Sequence, residues 1–319
     1  MKTHPSIVFY GTPEFAVASL QCLVEAGYFI AGVITAPDRP AGRGLNIRFS
    51  PVKEFALNHN LPLFQPSNLK DPGFLAQLRD LVPDLQVVVA FRMLPKEVWS
   101  LSSLGTFNLH ASLLPQYRGA APINWVLING EEETGVTTFF IEETIDTGNI
   151  LFHEAIPVHP EETAGELHDR LMETGARLVV KTVRAIESGT VNAFPQTEFP
   201  ESIPSILKTA PKIRKDDCRI NWDNSVLVVF NFIRGLSPHP GAFTELTGAD
   251  GKIFFLKIYR AGKEIQIHSF APGTILSDGK TYIKIAVRDG CIILNEVQPA
   301  GRKTMDSMDF LKGYGMHFV

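Results

Sequence analysis

Ser6-Ile7-Val8-Phe9-Tyr10-Gly11-Thr12-Pro13-Glu14 opens the chain's first legible unit. Ser6 to Tyr10 reads as a buried strand, ended by Gly11-Thr12-Pro13. An apolar helix follows to about Ala26, with Gly27 as its stop. Pro13 suits the first helical position, and Glu14 complements a helix N-terminus. Phe29 to Thr35 is the next strand and closes a βαβ unit, the opening of a doubly wound, mostly parallel sheet. No Gly-x-Gly-x-x-Gly follows the first strand, so dinucleotide binding has no support.

Working outward, the same class of fold recurs. Ser50 is placed to cap a helix to about Asn58, and Asp71 one to about Leu81, with a short strand at Leu61 to Gln65 between them. Leu85-Gln86-Val87-Val88-Val89-Ala90 is a continuous run of the kind found in a central parallel strand buried on both faces. Ligands of such sheets bind beyond the strands' carboxyl ends, so Phe91-Arg92-Met93-Leu94-Pro95 is expected to border a site. A chain of 319 residues is long for one core, so two domains are expected. The division falls at residues 1–189, a linker at 190–207 carrying Pro195, Pro200 and Pro204, and a second domain at 208–319.

Composition is that of an ordinary globular protein, with 45% hydrophobic and 20% charged residues. Cys22, Cys218 and Cys291 are far apart and have no metal spacing, which suits a reduced cytoplasmic protein and no disulfide framework. No metal, signal peptide or membrane span is expected. Residues 1–189 hold 14 Lys+Arg against 21 Asp+Glu, a net −7, whereas residues 190–319 hold 16 against 13, a net +3. A basic second half hints weakly at a polyanionic partner.

The chemistry concentrates in Phe107-Asn108-Leu109-His110-Ala111-Ser112-Leu113-Leu114-Pro115-Gln116-Tyr117-Arg118-Gly119. Its start alternates as a strand, so Asn108 and His110 share one face while Phe107 and Leu109 share the other. An amide donor beside an imidazole suits acyl transfer: the amide stabilises an oxyanion and the imidazole moves the proton. Alone, Asn-x-His reads better as a strand with two solvated polar residues, because such triplets are common. Gly119 to Asn129 reads as a helix, and Gly135 to Ile141 and Asn149 to Val158 as strands about a turn holding Asp146. Thr163 and Glu166 form a capping box for a helix to about Ser188, with Leu167, Leu171 and Leu178 as its core stripe.

Asn-x-His followed by Ser-Leu-Leu-Pro and Arg-Gly resembles the signature of the folate-dependent formyltransferases, and Phe9-x-Gly-Thr-Pro-Glu-Phe15 is similar to their opening motif. Beyond the first domain, Leu294 to Gln298, Gly301 and Asp309 to Gly313 resemble the C-terminal domain of those members that act on tRNA. The resemblance implies a Rossmann-like catalytic domain followed by an OB-like barrel that binds tRNA. It implies transfer of a formyl group from 10-formyltetrahydrofolate, a co-substrate and not a tightly bound cofactor, to the α-amine of initiator methionyl-tRNA. It assigns Asn108, His110 and Asp146 to catalysis and Ser112, Leu113, Leu114 and Pro115 to the folate. In the loop Ala36 to Val52, Arg39, Arg43 and Arg48 take the role of tRNA contacts. Two departures stand out. Leu45-Asn46 replaces a basic pair common in the family, and Phe91-Arg92 replaces its usual Tyr-Gly in a loop one residue shorter. A monomer is expected. Two other readings stay open: a related transferase acting on a sugar amine or small metabolite, and a catalytically silent RNA-binding protein on the same scaffold.

Overall fold

A computed structural model describes residues 4–41, 46–197, 206–247 and 253–314. The first elements are β1 (Ile7–Gly11), α1 (Glu14–Glu25), β2 (Ile30–Ile34), β3 (Arg39–Ala41), β4 (Asn46–Arg48), α2 (Pro51–Asn58) and β5 (Leu63–Phe64). They are followed by α3 (Pro72–Asp80), β6 (Leu85–Val89), α4 (Lys96–Trp99), β7 (Thr106–His110) and α5 (Pro122–Ile128). After the strands Glu133–Phe140 and Ile150–Pro157 come the helices α6 (Ala164–Glu187), α7 (Val226–Gly235) and α8 (Ser307–Tyr314). Contacts among the described residues divide the chain into two interleaved units. One draws on residues 1–119, 134–156 and 168–208, the other on 120–133, 157–167 and 209–319.

The first unit is built on a seven-stranded sheet in which β5, β2, β1, β6 and β7 lie side by side, followed by Glu133–Phe140 and Ile150–Pro157. The first five are parallel, as the βαβ reading requires, and the strand next to β7 runs antiparallel. Pro13 stands one place earlier than expected, as N-cap, with Glu14 the first helical residue. Ser50 and Asp71 cap α2 and α3 as their side-chain chemistry dictates, accepting from the amides of Lys53 and Phe74. Helix α5 begins three residues later than the sequence suggests, because the residue before a proline is driven out of the α region and Ala121 precedes Pro122.

Gln86 is fully buried in the middle of β6 and explains how a polar residue sits in a central strand. Its Oε1 accepts from Tyr10 Oη at 2.6 Å, and its Nε2 donates to Val98 O and Thr106 Oγ1, each at 3.0 Å. A buried amide left unpaired would cost about 1–3 kcal/mol, so this network joins β1, β6 and β7 at no such penalty. On one face of the sheet Val8, Tyr10, Ile34 and Val88 pack with Phe74 and Leu78 of α3 and Val98 of α4. On the other face α6 lies against β7 and the strand beside it. A Cβ on Gly175 would stand 2.7 Å from Leu109 Cδ2, and Thr182 Oγ1 lies 2.9 Å from Thr138 Oγ1 on the strand beside β7. Helix α6 therefore seals the Leu109 face of β7 and leaves Asn108 and His110 on the opposite face.

The second unit carries an antiparallel sheet ordered Ala242–Thr247, Ile253–Ile265, Gly290–Pro299, Ile283–Val287, Ile275–Ser277, with Met305–Asp306 added on Gly290–Pro299. Register shifts near Arg260 bend the long strand Ile253–Ile265, the device that curls a sheet toward a barrel. Where an OB-like barrel was expected, the sheet is a curled antiparallel half-barrel, and Ala242–Thr247 was not legible as one of its strands. Phe230 and Ile233 of α7 and Phe310 of α8 share one core with Leu256, Ile258, Ile285, Ile292 and Leu294. Among the described residues no helix is long and apolar enough to cross a membrane.

The capping box forms as expected. Thr163 N and Oγ1 each donate to Glu166 Oε2 at 2.8 Å, and Arg260 Nη2 lies 2.6 Å from Glu166 Oε1. The Thr163 backbone donor first, and then Arg260, hold the Glu166 carboxyl down at about 2. A depressed folded value means stability that is present above the ordinary carboxylate range and is lost as pH falls toward 2. Glu166→Gln should therefore flatten the fall in unfolding free energy between pH 5 and pH 2.5, measured by urea titration.

Candidate active site

His110 ends β7 at the carboxyl edge of the parallel strands, where Gly11 of β1 and Val89 of β6 also end. Its ring is buried, and Nε2 lies 2.9 Å from Tyr117 O. A carbonyl can only accept, so Nε2 carries the proton and donates. In the neutral ring Nδ1 is then the nitrogen that can take a proton. Nδ1 lies 4.0 Å from Asp146 Oδ2. That is beyond a hydrogen bond, but at 4 Å a charge pair is worth about 1 kcal/mol in bulk water and about 4 kcal/mol near a protein surface. Asp146 is thus placed to act on His110 by charge.

Asn108 shares the His110 face and is half-buried. Among the described residues no protein group hydrogen-bonds its side chain, so its amide N–H groups are available to an incoming oxygen. In this it differs from Gln86, which is spent on the core.

Asp146 is brought in from the turn between Glu133–Phe140 and Ile150–Pro157. Its Oδ2 accepts from Gly119 N at 3.0 Å. Its φ is +55°, a left-handed conformation that is uncommon for a residue with a Cβ. Tyr117 at +59° and Ala90 at +47° share it, so the loops after β6 and β7 and the Asp146 turn each hold one such residue. Strain of this kind costs on the order of 1–3 kcal/mol per residue and persists only where the surroundings over-determine it. Here Tyr117 N donates to Lys208 O at 2.7 Å while its carbonyl receives His110. A Cβ on Gly148 would fall 1.7 Å from Phe140 O, so only glycine lets the Asp146 turn lie this close to the strand.

The segment 112–115 is folded tightly onto the neighbouring strand. Thr137 Oγ1 donates to Ser112 O at 2.6 Å and accepts from Leu114 N at 3.1 Å, and Ser112 Oγ donates to Gln116 O at 2.7 Å. Leu114 is buried with Phe139 and Ile150, whereas Leu113 and Pro115 are half-buried. The Ser112 hydroxyl and the Leu114 side chain are thus used within the fold, leaving Leu113, Pro115 and backbone groups as this segment's means of contact.

The arginine loop is a two-stranded hairpin in which Arg39 of β3 faces Arg48 of β4, both exposed. Arg43 lies outside the described residues. Asp38, the carboxylate nearest these arginines in sequence, is taken by Lys53 Nζ at 2.5 Å and Gln65 Nε2 at 2.9 Å. Gln65 Oε1 also accepts from Lys53 Nζ at 2.9 Å, and Thr35 Oγ1 lies 2.8 Å from Ser50 Oγ. Gln65 first, and then Lys53, hold the Asp38 carboxyl below its ordinary range. This network pins both ends of the hairpin and leaves the two arginines without Asp38 as a counter-charge. In the altered loop after β6, Arg92 Nη1 and Nη2 donate to Ser67 O and Pro66 O at 2.9 and 2.5 Å. Desolvation first, and then the charge of Arg39, push the Arg92 guanidinium down.

The structure thus sets Asn108 and His110 on one face of β7, with Asp146 beside His110. Around them stand the Tyr117 carbonyl, the Gly119 amide and Gln196, and at the foot of the arginine hairpin Lys53 and Gln65, none of which was singled out. Backbone groups leave no mark in a sequence, and Gln196 sits in a proline-rich stretch with no periodicity to read.

The formyl transferase family model matches residues 5–183. The chain belongs to the formyltransferase family. A second model, for the formyltransferase C-terminal domain, matches residues 212–315. Among similar formyltransferases, a methionyl-tRNA formyltransferase of Bacteroides fragilis is 51% identical over 308 residues, covering 97% of this chain and 94% of the relative. One from Azobacteroides pseudotrichonymphae, of the same name, is 54% identical over 96% of this chain and 95% of its own length. The crystal structure of HypX from Aquifex aeolicus in complex with tetrahydrofolic acid superposes with a TM-score of 0.63 at 19% identity, over 97% of this chain. This chain spans about half of HypX, 47% of its length, and at that identity the likeness establishes the fold alone.

Proposed function

We propose that this formyltransferase moves the formyl group of 10-formyltetrahydrofolate onto the α-amine of initiator methionyl-tRNA, giving formylmethionyl-tRNA for translation initiation. The observation that carries the reading is the placement of His110 between Tyr117 O and Asp146, with the uncommitted Asn108 amide on the same face. The names of relatives more than half identical over nearly the whole chain favour tRNA over a sugar amine as acceptor.

A free α-amine titrates near ~8, so near neutral pH it needs a base. In the proposed reaction the amine nitrogen attacks the formyl carbon, and the new C–N bond forms as the carbonyl electrons move onto oxygen. Asn108 donates to that oxyanion. His110 accepts the amine's proton at Nδ1, and Asp146 stabilises the resulting imidazolium by charge. Collapse of the intermediate breaks the bond between the formyl carbon and N10 of the folate, and His110 returns the proton to N10. The folate leaves as tetrahydrofolate and is a co-substrate.

In this reading Leu113, Pro115 and the backbone of 112–115 and 91–95 border the pterin. Arg39, Arg43 and Arg48 take phosphates of the acceptor end. The division into a catalytic domain at 1–189, a linker at 190–207 and a tRNA-binding domain at 208–319 belongs to the same proposal, as do a monomeric state and a cytoplasmic location.

The test is formyl transfer from 10-formyltetrahydrofolate to charged initiator methionyl-tRNA, with charged elongator methionyl-tRNA beside it. Fast transfer to the initiator alone is the expected outcome. Folate binding without transfer to either tRNA would point to a different amine acceptor, and no folate binding would sink the reading.

A further inference from the structure

Gln196 lies on the stretch after α6 and is 4% exposed. A glutamine amide has two N–H donors and a carbonyl oxygen with two lone pairs. Here all four are used. Nε2 donates to Asp146 O and to Gly148 O, each at 2.9 Å, and Oε1 accepts from Arg118 Nε at 3.1 Å and Arg118 Nη2 at 2.5 Å. The stretch is anchored just before it, where Ile150 and Phe194 exchange backbone hydrogen bonds at 2.8 and 2.9 Å.

The two partners flank one hydrogen bond. Arg118 precedes Gly119, whose amide donates to Asp146 Oδ2 at 3.0 Å. Gln196 therefore bridges the two pieces of chain that meet at the carboxylate facing His110. Asp146 sits at φ +55°, a conformation uncommon for a residue with a Cβ, although aspartate tolerates it better than most, so contacts from outside the turn help to hold it. The amide of Gln196 grips the backbone carbonyls of Asp146 and Gly148, on either side of Thr147, and so fixes that conformation directly.

We infer that Gln196 is a positioning residue for the transfer reaction: it sets the Asp146 carboxylate against His110 and ties it to the Arg118-Gly119 loop. The inference rests on the proposed catalytic role of Asp146. Gln196 itself touches no reacting atom. If its donors are lost, two carbonyls in a part-buried site lose their partners, and the turn is free to relax toward the right-handed region. The carboxylate then swings away from Gly119 and from His110 Nδ1.

A double-mutant cycle on turnover tests this, using the full chain and variants Gln196→Leu, Asp146→Asn and both together, with the thermal midpoint measured on each. Misplacing a group by about 1 Å can cost on the order of 100-fold, so Gln196→Leu is expected to lower kcat roughly 10- to 100-fold with the KM for 10-formyltetrahydrofolate little changed. Because the residue works through Asp146, adding Gln196→Leu to Asp146→Asn should cost no more than about 3-fold further. A role in stability alone would instead shift the midpoint and leave the two kcat penalties additive, which overturns the inference. So would normal turnover by Gln196→Leu beside a crippled Asp146→Asn. Normal turnover by Asp146→Asn would instead refute the catalytic role of Asp146, a separate failure. Gln196→Glu keeps the oxygen that pairs with Arg118 and removes both donors, so it covers the case in which the leucine variant does not fold. It should be as slow as expected for Gln196→Leu, and full turnover by Gln196→Glu would show that the donors to Asp146 and Gly148 are not what matters.

Discussion

His110→Gln is expected to lower turnover by roughly 100- to 10,000-fold, the usual share of a positioned general base. Glutamine is the informative replacement because its amide can still donate to the carbonyl of Tyr117, the 2.9 Å partner of the native ring. What it cannot do is accept a proton at the place of Nδ1, which faces Asp146 at 4.0 Å. The structural contact is largely kept while the proton site is removed, so the loss should fall on kcat and leave the unfolding midpoint nearly unchanged. Rapid-quench measurement of formyl transfer under single-turnover conditions reads the chemical step directly. A variant retaining a tenth or more of native turnover would mean that another group takes the proton.

Asn108→Ala should lower turnover by roughly 100- to 1000-fold, the common cost of deleting one oxyanion donor. Its effect on stability should be small for a reason visible in the fold. The side chain is half-buried and has no protein partner among the described residues, so its removal orphans nothing. In the proposed reaction the bond it would supply strengthens only as the formyl oxygen gains charge. The penalty should therefore appear in kcat and kcat/KM alike, with KM for both substrates close to native. A raised KM with unchanged kcat would make Asn108 a substrate-binding residue and remove it from the transition state.

The fold was legible wherever local pattern and burial agree. The apolar runs that became β1, β2 and β6, the caps at Ser50 and Asp71, and the Thr163–Glu166 box are read from a few adjacent residues and appear as expected. Asn108 and His110 were legible because strand alternation alone puts them on one face. Legibility failed where long-range contacts decide the conformation. Ile253–Ile265 runs on through Arg260-Ala261-Gly262 because Gly290–Pro299 pairs with it from Leu256 to Ile265 and register shifts beside Arg260 absorb the bend. The anchoring of Asp146 by Gln196, fifty residues away, obeys no spacing rule. Nor does the use of Tyr117 O and Gly119 N, since every residue has a carbonyl and nearly every one an amide.

The approach of α6 to β7 bears on how this enzyme could be re-aimed at other amines. At Gly175 the helix lies so close to Leu109 that one added carbon would force the leucine side chain to shift. The strand carrying Asn108 and His110 is therefore closely packed from behind, while on the front the half-buried Asn108 side chain has no protein partner among the described residues. Laboratory selection for new acceptors should find few productive changes on the strand or the helix behind it. Useful variation should collect in the arginine hairpin and the turn after β6, which can be rebuilt without moving the proposed pair of Asn108 and His110.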